Sequence, residues 1–240
     1  MPYLDSKFIV MPLGLSCQSA QQIDMNAGNI AHHLGSVEFE VTSTYFDWLI
    51  TPSQALSGLL SDNLPHPLSE SEISLSLGAP MFEPYGALFY HEMHLPDGRY
   101  EKTEESFEQL VSKFRYLSDK TRRLIETRRP LFVWSNTQND LENVVPHCRS
   151  IDLILDMDTI YRIAEAADGI NNGPADYLFV TYEDRSSNVF DEDRFTIVKI
   201  EPDESLWQGD NDAWAHALAK AIDKMKSRMK FISDDSGHLV

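Results

Sequence analysis

Apolar positions along the chain follow two rhythms, one continuous and one spaced by three and four. Phe8-Ile9-Val10-Met11-Pro12-Leu13-Gly14-Leu15 is a short, nearly unbroken apolar run, as expected of a buried first strand. It leads through Ser16-Cys17 into Ala20, Ile23, Ala27, Ile30 and Leu34, which predict one helix stopped at Gly35. Phe107, Leu110, Val111, Phe114, Leu117, Thr121, Leu124 and Ile125 predict a long amphipathic helix. Glu101, Glu104, Glu105 and Glu108 lie near its start, and Arg122, Arg123, Arg128 and Arg129 near its end, where they complement the helix dipole. An anion site at those arginines is the lesser reading.

Beyond that helix the two rhythms alternate. Strands are expected at Pro130–Trp134, Ile151–Leu155, Tyr177–Val180 and Phe195–Ile200. Helices are expected at Asp140–Cys148, Tyr161–Ala167 and 212–229. Ala87–His94 also reads as a strand, 53–80 as an irregular insertion, and 233–240 as a disordered tail. Continuous apolar strands separated by helices predict a single α/β domain over 1–232, with a largely parallel sheet covered on both faces. The last two strands are open to a parallel or an antiparallel-edge arrangement.

Charge narrows the partners. The 240 residues carry 20 Lys+Arg against 38 Asp+Glu, a formal net charge of -18. Such a chain is repelled by nucleic-acid phosphates and anionic lipid, so neither is expected as a partner. Two cysteines make no disulfide framework and suit a reducing, cytoplasmic setting. The apolar run ending at Cys17 could be mistaken for a lipoprotein signal, but Asp5 offsets Lys7, Pro12 breaks the run, and Gly14 replaces the usual leucine. No stretch reaches the roughly 18 apolar residues of a membrane span.

Cys17 is the leading chemical candidate. It opens a helix directly after a strand, where backbone amides and the helix dipole favour thiolate over thiol. The N–H of Gln18 could serve an oxyanion; burial as a small apolar residue is the alternative. Asp47, inside Tyr45-Phe46-Asp47-Trp48, is costly to bury without a partner and so either caps something or orients a histidine or arginine, a structural cap or salt bridge being the favoured reading on this feature alone. His91 is the economical general base. Cys17, His91, His94 and Asp97 lack the paired spacing of a zinc site, so no metal and no cofactor is expected. Asn136 follows a strand end, where α/β sites are built, and could bind substrate or an oxyanion. Cys148, Trp207 and Trp214 read as structural. Neither a phosphate-binding glycine loop nor a Gly-x-Ser-x-Gly elbow occurs in the sequence.

Taken in order, Leu13-Gly14-Leu15-Ser16-Cys17-Gln18-Ser19-Ala20, Phe46-Asp47-Trp48-Leu49-Ile50-Thr51-Pro52 and Phe89-Tyr90-His91 resemble a bacterial family of unknown function described as papain-like cysteine peptidases. Lys113-Phe114-Arg115, Leu131-Phe132-Val133 and Trp207-Gln208-Gly209-Asp210-Asn211-Asp212-Ala213-Trp214 extend the resemblance to 8–220. It implies a nucleophile at Cys17, a base at His91 and an orienting acid at Asp47. The chain departs from the family's pattern at Trp134-Ser135-Asn136, where a basic residue usually follows the strand. A papain-like architecture would be α+β, with the nucleophile's helix segregated from an antiparallel sheet. The strand–helix alternation favours α/β, leaving "papain-like" to describe the dyad. The expected activity is a cysteine-dependent hydrolase or acyl transferase acting on a peptide or small acyl substrate. The alternatives are a non-catalytic binding or accessory protein, and a sugar- or nucleotide-binding transferase.

Overall fold

The computed structural model of the chain describes residues 1–76, 79–93, 99–139, 153–203 and 206–236. It is a mixed α/β structure around a mostly parallel sheet. The strands are β1 (Tyr3–Leu4), β2 (Phe8–Pro12), β3 (Glu40–Val41), β4 (Ile73–Ser76), β5 (Ala79–Phe82), β6 (Ala87–Leu88), β7 (Arg129–Ser135), β8 (Asp176–Thr181) and β9 (Phe195–Lys199). The helices are α1 (Gln18–Met25), α2 (Ala27–Leu34), α3 (Ser53–Ser61), α4 (Glu104–Thr127), α5 (Met157–Ile170) and α6 (Asn211–Ser236). The main sheet runs β3-β1-β2-β7-β8-β9. Strands β2, β7, β8 and β9 are mutually parallel, and β1 is antiparallel to both its neighbours. A small antiparallel sheet, β4-β5-β6, stands apart.

The central strands are apolar throughout because both their faces are covered. From β7, Leu131 and Val133 join a core with Ile23 of α1, Ile30 of α2 and Leu218 of α6. The alternate residues Phe132 and Trp134 enter a second core with Leu56 of α3, Phe114 of α4 and Ile163 of α5. Period-two alternation along each strand thus feeds two separate cores.

Helix α4 begins with a reciprocal cap: Ser106 N donates to Thr103 Oγ1 at 3.1 Å, and Thr103 N to Ser106 Oγ at 2.9 Å. The arginines near its end act as anchors. Arg122 holds Asp119 and the Asn63 carbonyl, Arg123 the Asp119 carbonyl, and Arg128 the Asp5 carbonyl at 2.7 Å. Arg129 reaches the buried Asp176, which also receives Arg228 of α6. An anion site is thus not the main use of this cluster.

Several expectations are corrected. The helix expected from Cys17 to Leu34 is two helices divided at Asn26, whose side-chain amide donates to the Gln22 carbonyl and to Asn211 Oδ1. Gly35 does end α2, in the left-handed conformation at φ 74°. The segment 53–80 is not irregular, since it contains α3 and β4. The Ala87–His94 strand ends at Leu88, because the chain turns with Glu92 N donating to the Phe89 carbonyl and Met93 at φ 58°. In Ile151–Leu155, Leu155 makes one parallel bridge to Ser186, and the strand beside β7 is β8. Ile151, Asp152 and the helix expected at Asp140–Cys148 lie outside the described residues. Strands β8 and β9 are parallel rather than an antiparallel edge. Residues 233–236 continue α6, and 237–240 lie outside the described residues. Among the described residues no helix is long and apolar enough to cross a membrane.

Candidate functional site

Adjacent strands β2 and β7 lead to helices on opposite faces. Strand β2 runs into α1, packed in the core with α2 and α6, whereas the next described helix after β7, α5, packs in the core with α3 and α4. In an open α/β sheet, ligands usually bind outside the carboxyl ends of strands whose connections lead to opposite faces. Cys17 follows β2 at this point.

The turn that delivers Cys17 is tightly specified. Leu13 N extends the ladder by donating to the Val133 carbonyl at 2.8 Å. Gly14 (φ 79°) and Leu15 (φ 61°) then both take left-handed conformations, a costly one for leucine. Thr51 holds them: Leu15 N donates to Thr51 Oγ1 at 3.2 Å, and Thr51 N to the Leu15 carbonyl at 3.2 Å. From Ile9 to Ala20 every residue is buried except Cys17, which is partly exposed. Cys17 occupies the N-cap position of α1, but its side chain makes no capping hydrogen bond.

Thr51 and Ile50 also connect this turn to the histidine segment. Ile50 and Leu88 exchange backbone hydrogen bonds of 3.0 and 2.9 Å, three residues before His91. His91 is exposed, with its ring edge-on to Trp48 at 5.1 Å and to Tyr90 at 5.4 Å between centroids. Asp47 is fully buried. Its Oδ1 accepts from the Thr44 hydroxyl at 2.7 Å, and its Oδ2 has no hydrogen-bond partner, so this segment meets His91 through Trp48. Burial pushes the Asp47 carboxyl up to about 6, against the opposing pull of the Met1 amino group, the Thr44 hydroxyl and Lys120. The Met1 amino group donates to the Ala20 carbonyl and lies within the field of Asp47, Asp24 and Cys17. Burial holds that amino group below its usual range.

Gln18 and Asn136 are committed to the framework. Gln18 is completely buried. Its Oε1 accepts from Ser135 Oγ at 2.8 Å and Thr137 Oγ1 at 2.7 Å. Its Nε2 donates to the carbonyls of Trp207 and Gln208 at 3.2 and 3.1 Å. Its backbone N–H makes only a long bond of 3.3 Å to Ser16 Oγ. Asn136 is likewise buried and spends its amide on the carbonyls of Leu153 and Arg185, at 2.6 and 3.1 Å.

Thr51 thus holds the turn before Cys17, the Met1 amino group lies in the fields of both Asp47 and Cys17, Trp48 beside Asp47 meets the His91 ring, and Asn136 spends its amide donors on the scaffold. His94, Asp97 and Cys148 lie outside the described residues. Among the described residues no group of His, Cys, Asp or Glu could hold a metal ion. Sequence reasoning missed Thr51, although Gly14 hinted that something would approach the loop closely. It also treated Trp207 and Trp214 alike, whereas Trp214 is buried and Trp207 is 39% exposed. No protein-family model matches the chain, and no curated protein or solved structure matches it.

Proposed function

We propose that the chain is a cysteine-dependent hydrolase or acyl transferase with Cys17 as nucleophile and His91 as base. The observation that carries this reading is the exposure pattern: from Ile9 to Ala20, Cys17 is the one residue that is not buried. A packing cysteine would be expected to follow its neighbours into the core. The place of Cys17 beyond the carboxyl end of β2 is where an open α/β sheet usually takes a ligand.

In this reading the Cys17 sulfur attacks a carbonyl carbon, and His91 takes the thiol proton and returns it to the leaving group. Water or an acceptor nucleophile then releases the acyl group from the thioester. The Gln18 N–H exchanges its long bond to Ser16 Oγ for the oxyanion. Asp47 positions the Trp48 segment against His91. The substrate is a peptide or small acyl compound, in keeping with an acidic protein of a reducing, cytoplasmic setting.

A second reading, a non-catalytic binding or accessory protein, draws on the internal use of the Gln18 side-chain amide and of the Asn136 NH2 group. Incubation with p-nitrophenyl acetate separates the two. The catalytic reading expects an acetyl adduct on Cys17 that turns over and is absent from Cys17→Ala. No adduct at Cys17 would favour the second reading.

A further inference from the structure

The loop 206–209 lies beside the candidate nucleophile with its backbone turned inward. The Leu206 carbonyl accepts from Asn139 Nδ2 at 3.0 Å, the Trp207 carbonyl from Gln18 Nε2 at 3.2 Å, and the Gln208 carbonyl from Gln22 Nε2 at 2.9 Å. Gly209 lets the loop come this close: at φ 79°, a Cβ there would lie 3.3 Å from Gln18 Nε2. Two of the three donors, Gln18 and Gln22, are wholly buried residues of α1, whose N-cap is Cys17. The loop is thus fixed to the helix that carries the thiol.

The side chains of Leu206 and Trp207 are instead partly exposed. Leu206 is 49% and Trp207 39% exposed, although they adjoin a buried polar network that holds the backbone still. Exposed apolar side chains on a pinned loop form a ready-made contact surface, with little ordering left to do on binding. Trp48 and Tyr90, both beside His91, add aromatic surface on the histidine side.

We propose that Trp207, with Leu206, is a specificity-determining platform of the Cys17 site, and that the substrate carries an aromatic group next to its reacting carbonyl. This rests on the reading of Cys17 as a nucleophile. The supporting juxtaposition is that of Gln18, one residue after the thiol, bonded through its side chain to the Trp207 carbonyl.

Two haloacetamides test it without a known substrate. Iodoacetamide and N-benzyl iodoacetamide both alkylate a thiolate with loss of iodide and formation of one S–C bond, but only the second carries a ring. The full chain should show a benzyl-to-plain rate ratio at Cys17 about fivefold above that of glutathione, the size of one aromatic contact. Trp207→Ala should bring the ratio down to the glutathione value, with Cys17 still reactive to iodoacetamide. Leu206→Ser should lower it partly, and serves as the second variant should Trp207→Ala fold poorly. A wild-type ratio equal to that of glutathione, with Cys17 still reactive to iodoacetamide, would overturn the platform and leave the nucleophile standing. Inertness of Cys17 to both reagents would overturn both.

Discussion

A Cβ on Gly14 would lie 2.0 Å from Thr51 Oγ1. The same hydroxyl accepts the Leu15 amide, so the space denied to a side chain at position 14 is filled by the group that clamps the turn before Cys17. Gly14 therefore serves both a left-handed backbone (φ 79°) and a close approach.

Gly14→Ala should consequently destabilise the chain by about 2–4 kcal/mol, from backbone strain and the clash with Thr51 together. Gly28 in α2 offers the control, since its Cβ would meet nothing within 4 Å and it has no positive φ. Gly28→Ala should be neutral or stabilising by up to about 1 kcal/mol. Urea unfolding of both variants checks this; equal effects would show that the Thr51 clamp is unimportant.

The buried carboxyl of Asp47 makes stability depend on pH. Its folded value, raised to about 6 by burial, lies above that of the unfolded chain, so the folded state holds a proton that the unfolded state has released between roughly pH 4 and 6. Stability from this group is full below that window and falls as pH rises through it, by about 3 kcal/mol in all. Asp47→Asn should remove that slope and be at least as stable as the parent at pH 8. Urea melts of the two proteins at pH 4, 6 and 8 measure the difference. A slope unchanged by the substitution would show that Asp47 is not the group responsible.

Asn136 should behave as scaffold. Asn136→Ala takes the donor from the Leu153 carbonyl, while the Arg185 carbonyl keeps Leu155 N and Thr181 Oγ1, and should cost about 1–3 kcal/mol. The rate of Cys17 alkylation by iodoacetamide, measured below the unfolding transition, should not change. A large rate loss without a stability loss would place the Asn136 amide at the reacting centre instead.

Asp176 ties β8 to both β7 and α6 through Arg129 and Arg228 at 3.1 and 2.7 Å. Asp176→Ala strands two arginines in a largely buried position and should destabilise by about 3–5 kcal/mol. Hydrogen exchange should then rise first in the part of α6 around Arg228. Uniform exchange along α6 would contradict the latch.

The elements legible in the sequence were those whose pattern was long or sharply bounded. Helix α4 repeats its apolar stripe over many turns, and β7 is an apolar run between a helix end and polar residues. Helix α3 was hidden by its serines and glycine, although Ala55, Leu56, Leu59 and Leu60 form a buried face. Ile151–Leu155 had the composition of a sheet strand, but short apolar runs do not fix their own partners, and β8 takes the place beside β7. Cys17 was legible because a strand, a glycine turn and a helix are local signals. Its clamp by Thr51 and the separation of Trp207 from Trp214 were not, because each depends on contacts between segments far apart in the chain.

The most direct test of the account is the rate of iodoacetamide alkylation at pH 7 for Cys17, Cys148 and Cys17 in His91→Ala, followed residue by residue by mass spectrometry. Cys17 should react at least about tenfold faster than Cys148, as expected for a thiol with an enhanced thiolate fraction, and His91→Ala should remove most of that advantage. Equal rates for the two thiols, or a Cys17 rate indifferent to His91, would contradict it.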